Sequence, residues 1–224
     1  WLFMFIGSIL FKDYLNTTYN ISGGVIGAGF LQNSNFARNY STPSLLKNIG
    51  MKSIPYTLAL SEIAAIKLAI HNYSELIDDS LASLANPKEE KRFRKQILIE
   101  TELERANIDL PLHSAVPPPD TPHFKWGDNI LLDHLSLYIM KHRGYETASL
   151  TLKNIPEEAY KLTQNLDLTF FDRYYPDVIN LIPDNFRYKF TDTLNSANIF
   201  PYTENDWMEF RKTQEYLSRY HKIK

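Results

Sequence analysis

A proline-rich stretch from residue 110 to residue 122 constrains the fold of this chain more than any other feature of its sequence. It reads LPLHSAVPPPDTP, and five of its thirteen residues are proline. Proline lacks a backbone N–H donor and has a fixed φ, so this stretch can be neither an α-helix nor a central strand. We therefore predict an extended strap that links two helical regions or lies along their surface.

The sequence on both sides of the strap is typical of helices. Apolar residues recur at helical spacing, and no segment shows sustained alternation of apolar and polar residues. We predict a mainly α fold, an irregular helical bundle with a Pro-rich strap and an aromatic-rich C-terminal region. Residues between 170 and 185 are expected to be irregular, with turns at two Pro-Asp pairs. The predicted helices span residues 57–71, 74–85, 88–106, 128–143, 147–153, 156–164 and 203–221.

Local signals fix the ends of some of these helices. Asp128 and Thr203 are predicted N-caps, because a short polar side chain there can accept a backbone N–H. Gly144 follows a basic residue and is predicted to end its helix. The charged run Lys88–Lys95 is interpreted as a solvated helix face, with an acidic partner as the alternative.

The first 42 residues differ from the rest of the chain. Residues Trp1–Phe11 form an apolar run that is too short to span a bilayer, although it could contact a membrane. The stretch Phe36–Thr42 places Arg38 two residues before an aromatic residue, in a region with one acidic residue. This pattern resembles the cleavage junction of mitochondrial presequences. We predict an N-terminal leader over residues 1–42 and a single helical domain over residues 43–224.

Composition excludes several kinds of chemistry. The 224 residues include no cysteine, so disulfides, thiolate metal sites and thiol nucleophiles are excluded. A net charge of −2 argues against broad nucleic-acid binding, which requires a basic surface. The sequence contains no H-E-x-x-H, G-x-S-x-G or Walker-type phosphate loop. We therefore predict neither a metal site nor a cofactor.

Aromatic residues are dense between Phe170 and Tyr220, where basic and acidic residues are interleaved with them. Such a segment can be core, a protein interface, or a stacking platform for single-stranded nucleic acid. The acidic residues offset the basic ones, which makes nucleic acid the least favoured of the three. If the segment is an interface, we expect it to centre on Tyr174, Tyr175, Trp207, Phe210 and Arg211.

The absence of catalytic motifs, the presequence-like junction and the aromatic segment together suggest a non-catalytic role. We expect an accessory subunit or assembly factor of a larger mitochondrial complex, in the matrix or on the matrix face of the inner membrane. One alternative is an organellar RNA-binding protein. The other is an enzyme with an unusual site around the strap, formed by His113, His123, Asp128, Asp133 and His134.

Overall fold

The computed structural model describes residues 6–21, 44–54, 56–83 and 90–221. Helices make up 62% of it and strands 6%, which confirms the predicted mainly α fold. The α-helices, numbered in chain order, are α1 (Ile6–Leu10), α2 (Lys12–Leu15), α3 (Ser44–Asn48), α4 (Glu62–Tyr73), α5 (Ile77–Ala82), α6 (Glu90–Arg105), α7 (Ile130–Ser149), α8 (Glu157–Gln164), α9 (Pro176–Ile179), α10 (Asp184–Ser196) and α11 (Glu204–Leu217).

Two short strands pair in parallel. Strand β1 (Tyr19–Ile21) lies in the predicted leader, and strand β2 (Lys52–Ile54) lies in the predicted domain. The Tyr19 ring also meets the Phe186 ring edge to face, with centroids 5.4 Å apart. Residues 19–21 of the predicted leader are thus joined to the helical domain. The presequence-like junction at Arg38 lies outside the described residues, so that prediction is not tested.

Helix α7 lies at the centre of the largest apolar core. Its Leu135, Leu137, Tyr138 and Ile139 are at most 2% exposed. A second core joins the segment before α4 to α9 and α10, and a third joins α4, α5 and α6. Every residue of α7 from Leu132 to Met140 is buried, so other elements surround the helix over this stretch.

The strap is neither helix nor strand, as predicted, and polar side chains hold it against the domain. Asp78 of α5 accepts the backbone N–H of Ser114 at 2.8 Å, and Arg92 of α6 donates to the Ser114 carbonyl at 2.8 Å. Gln96 accepts the N–H of Val116 at 2.7 Å, and Glu90 accepts the N–H of His123 at 2.5 Å. These bonds satisfy backbone groups that the prolines leave without helical or sheet partners.

The interpretation of Lys88–Lys95 as a solvated face is therefore wrong for its described part. Arg92 is 6% exposed, and the side chains of Glu90 and Arg94 are each 11% exposed. Glu90 and Arg94 pair at 3.2 Å, and Lys95 pairs with Glu62 of α4. Glu90, Arg92 and Arg94 are covered because the strap and α4 pack on this side of α6, whereas Lys91 is exposed.

Two of the three predicted helix ends are confirmed. Thr203 caps α11 in a capping box with Asp206, and the backbone at Gly144 leaves the helical region with φ 84°, a value that favours glycine. The third is wrong by one residue, because Asn129 caps α7 while Asp128 accepts the N–H of Lys125. Helix α10 begins at the end of the region expected to be irregular, extends well beyond it, and is an unpredicted element.

Candidate functional site

Three aromatic side chains from two separate parts of the chain surround Trp207. Its ring lies 5.1 Å from Tyr175, 5.1 Å from Tyr202 and 6.3 Å from Phe210 between centroids. In all three pairs the ring planes are close to perpendicular, with interplanar angles of 68–87°. Edge-to-face pairs of this kind each add about 0.5–1.5 kcal/mol beyond burial of area. We call Tyr175, Tyr202, Trp207 and Phe210 the aromatic cluster.

Backbone hydrogen bonds fix the segment that carries Tyr174 and Tyr175. The N–H of Tyr174 donates to the Phe200 carbonyl at 2.9 Å, and the Tyr174 carbonyl accepts the N–H of Tyr202 at 3.1 Å. On the other side, the N–H of Tyr175 donates to the Ala59 carbonyl at 2.8 Å. The segment is therefore held between two other stretches of backbone, as a strand would be.

Two charged contacts fix the same segment immediately before the tyrosines. Asp172 binds Arg105 of α6 through two oxygens, at 2.7 and 2.5 Å. Arg173 contacts Asp206 at 3.1 Å, and Asp206 is the buried acidic residue of the α11 capping box. Because Trp207 follows Asp206 directly, one carboxylate links the Tyr175 segment to the helix that carries Trp207. The aromatic cluster is thus rigidly positioned.

Exposure divides the predicted interface residues into two groups. Phe210 is 2% exposed, so it supports the cluster from inside and cannot be a main contact for a partner. Tyr174, Tyr175 and Trp207 are half-buried, and Arg211 is exposed and makes no side-chain hydrogen bond or ion pair to the described residues. Burial and a hydrogen bond to Asp177 raise the pKa of Tyr175 to about 12, so its hydroxyl stays neutral.

The structure adds exposed residues that the sequence did not single out. Phe200 is 44% exposed and Met208 is 46% exposed. Met208 and Arg211 are three residues apart on α11, so they lie on one face beside Trp207. The helical spacing around Trp207 could have indicated Met208. Phe200 could not be found this way, because its place depends on backbone pairing with Tyr174. We call Phe200, Met208 and Arg211 the exposed rim.

The residues of the alternative enzyme site are divided between surface and interior. His113, His123 and Asp128 are exposed, whereas Asp133 is 0% and His134 is 6% exposed. His134 stacks on Phe170 and tilts against Phe171, with centroids 5.7 and 4.4 Å away. Its burial lowers its pKa to about 3. Across the described ranges, no group of three or more His, Asp or Glu residues is placed to hold a metal ion.

Asp133 has a partner that sequence reasoning missed. His221, just after α11, places Nε2 at 2.6 Å from Asp133 Oδ2, and the Gly127 N–H donates to the same oxygen at 2.8 Å. Burial raises the pKa of Asp133, although the hydrogen bond from His221 opposes this effect. The two residues are 88 positions apart, so no local pattern could reveal the pair. Its evident role is to fasten the chain after α11 to the start of α7.

A second buried polar cluster joins α6, α7 and the segment before Tyr174. Glu102 accepts hydrogen bonds from the Tyr138 hydroxyl and, at 2.8 Å, from Arg105. Burial raises the pKa of Glu102 and lowers that of the neighbouring His142 to about 4. Because Arg105 also binds Asp172, the cluster anchors the segment that presents the tyrosines.

An open cleft of about 710 Å³ lies at the break in α7. Its walls include Arg143, Tyr145 and Tyr160, and none of its lining residues belongs to the aromatic cluster or the exposed rim. Arg143 is engaged with Glu104 at 2.8 Å and with Thr101 at 3.0 Å. The Tyr145 hydroxyl donates to the Ile155 carbonyl, so the polar groups of this cleft are largely used within the fold.

Comparisons of this chain with protein-family models, with curated proteins and with solved structures found no match. A function for the chain is therefore inferred from its own residues.

Proposed function

We propose that this chain is a non-catalytic accessory subunit or assembly factor that binds another protein through the aromatic cluster and its exposed rim. The observation that carries the proposal is the rigid placement of half-exposed Tyr175 and Trp207 beside exposed Phe200, Met208 and Arg211. Tyrosine, tryptophan, phenylalanine, methionine and arginine are the residues that protein interfaces favour.

The chemistry of the surface indicates what the partner presents. Trp207 and Met208 offer apolar area, so the partner should bring an apolar side chain or a shallow apolar groove. Arg211 forms no ion pair with any Asp or Glu of the described residues, so its guanidinium can pair with an acidic residue of the partner. The fixed backbone around Tyr174 reduces the entropy lost on binding, because the surface is already ordered.

The mitochondrial part of the proposal depends on the sequence alone, namely on the presequence-like junction at Arg38. It is supported if the N-terminus of the endogenous protein, mapped by mass spectrometry, lies near Ser41 or Thr42. An endogenous chain that retains the leader, together with exclusion from mitochondria on fractionation, contradicts this location. The proposal of a partner-binding surface does not depend on that result.

Site-specific photo-crosslinking in cells tests the surface. A photoreactive amino acid at position 208 should give one defined adduct with another protein, whereas the same group at position 181 should not. Leu181 is a matched control, because it is 52% exposed but lies outside the exposed rim. Arg211→Glu should weaken the adduct from position 208 without lowering the melting temperature.

Three outcomes contradict the proposal. One is an equal pattern of adducts from positions 208 and 181. Another is migration of the endogenous protein near 26 kDa in native fractionation, with no adduct from either position. The third is an adduct with RNA whose yield falls steeply with salt, which would favour the nucleic-acid alternative instead.

A further inference from the structure

The N-terminal segment, residues 6–15, concentrates exposed apolar side chains. It comprises α1 and α2, and its hydrogen bonds continue between them from Phe11 to Gly7 and from Leu15 to Phe11. Elsewhere in the described chain, no stretch of ten residues carries more than two large exposed apolar side chains. The exposed fractions are 51% for Ile6, 72% for Leu10, 55% for Phe11, 86% for Tyr14 and 60% for Leu15.

These side chains form one broad apolar face. At 100° per residue they follow one another over an arc of about 180°, and Lys12 and Asp13 lie outside this arc. The arc is wider than the stripe of about 100° with which a surface helix packs against its own core. A helix that lies in a membrane surface buries such an apolar face at the acyl boundary and keeps its polar residues towards water.

The polar residues of the segment are arranged as at a membrane surface. Lys12 pairs with Asp13 at 3.2 Å, so the segment has no net charge. The Lys12 side chain is 28% exposed and lies between Phe11 and Tyr14 in sequence. Aromatic residues and a lysine at the end of an apolar stretch are typical of the boundary between acyl chains and water. Residues 1–5, which are all apolar, lie outside the described residues.

The length of the segment favours a position along the surface rather than across the bilayer. Ten helical residues measure about 15 Å, half of the roughly 30 Å apolar thickness of a bilayer. None of the helices in the described ranges combines the length and hydropathy needed to cross a membrane. Directly after the segment, Asn16 adopts a left-handed conformation, and β1 then pairs with β2 of the domain. A lipid contact here would therefore hold the helical domain next to the membrane.

We propose that residues 6–15 insert along the surface of a lipid bilayer and attach the domain to it. The inference is independent of the proposed protein-binding surface, which uses the other end of the chain. The attachment is driven by apolar contact and not by charge, because the only two ionic groups of the segment neutralise each other. Neutral phosphatidylcholine vesicles should therefore be sufficient for binding.

Flotation of the full chain with such vesicles tests the inference. We expect the wild-type protein to float, and we expect the double variant Leu10→Glu/Phe11→Glu to float at least about tenfold less, because two apolar groups that would be buried become charged. The double variant Tyr73→Glu/Leu76→Glu is the matched control, since these residues are 59% and 52% exposed in another part of the fold. It should float like the wild type.

Salt and association state complete the test. The floated fraction should not fall when NaCl rises from about 0.1 M to about 1 M, where charge interactions are screened. The inference is overturned if the wild type does not float, if both double variants float equally, or if salt releases the protein. A wild-type dimer that the Leu10→Glu/Phe11→Glu variant loses, without any vesicle binding, would show that a second copy covers the segment instead.

Discussion

Acidification should destabilise this protein through His134, and the size of the effect follows from the burial of its ring. The imidazole is 6% exposed and packs against Phe170 and Phe171, in surroundings that cannot solvate a cation. Burial therefore lowers its pKa from 6.5 to about 3 in the folded state. In the unfolded chain, the same ring regains its ordinary pKa.

The difference between the folded and unfolded pKa of His134 determines how stability changes with pH and over which pH range. Below pH 6.5 the unfolded state takes up a proton that the folded state refuses, so the stability that neutral His134 provides is lost as the pH falls towards 3. Each pH unit in that range lowers the free energy of unfolding by about 1.4 kcal/mol. The loss in the free energy of unfolding relative to pH 7 is about 2 kcal/mol at pH 5 and about 4 kcal/mol at pH 3.

Urea unfolding between pH 7 and pH 4.5 measures this term when the wild type is compared with His134→Leu. Leucine has a similar volume and cannot be protonated. When the pH is lowered from 7 to 5, the free energy of unfolding of the variant should therefore rise by about 2 kcal/mol relative to that of the wild type. Other titrating groups cancel in the difference. His123→Leu is the control, because His123 is exposed and should follow the wild type. A difference between His134→Leu and the wild type that is constant with pH would refute the reasoning.

Three further predictions concern the supports of the candidate site. Phe210→Ala should lower the free energy of unfolding by about 3–5 kcal/mol in urea titration, because Phe210 is buried. Phe200→Ala should change it by less than about 1 kcal/mol, because Phe200 is exposed. Equal effects of the two substitutions would place Phe210 outside the core. Arg105→Met should destabilise by about 3 kcal/mol at pH 7, since Glu102 and Asp172 then lose their cation, and an unchanged denaturation midpoint would contradict this. Thr203→Ala should cost about 1 kcal/mol in thermal unfolding, and an unaltered melting temperature would show that the capping box is not needed.

Local signals in the sequence were sufficient for several elements. The strap is extended because its prolines exclude other structures, and α11 begins where a threonine cap and acidic residues predict it. Helix α10 was missed, although Phe186, Phe190 and Leu194 recur at the four-residue spacing of one helix face. Only Leu194 is fully buried in it, while Phe186 and Phe190 are half-buried against the second core. This spacing is a local signal that could have indicated the helix.

The candidate site was only partly readable from sequence. Trp207, Tyr175 and Arg211 were singled out by residue type, and the structure brings the first two into contact. The sequence could not reveal that Phe210 is covered and Phe200 is not, because both are apolar residues in the same aromatic segment. What separates them is packing against residues remote in sequence, such as His134 and Phe170 for Phe210.

The sequence alone determined the helical character of this protein, the position of its strap and the caps of individual helices. These depend on interactions between neighbours in the chain, which composition and spacing record directly. Only the tertiary structure decided which charges are buried and which aromatic groups remain exposed. The pairs Asp133–His221 and Arg105–Asp172 join residues 88 and 67 positions apart, and each carboxylate is buried only because its partner arrives from elsewhere in the fold.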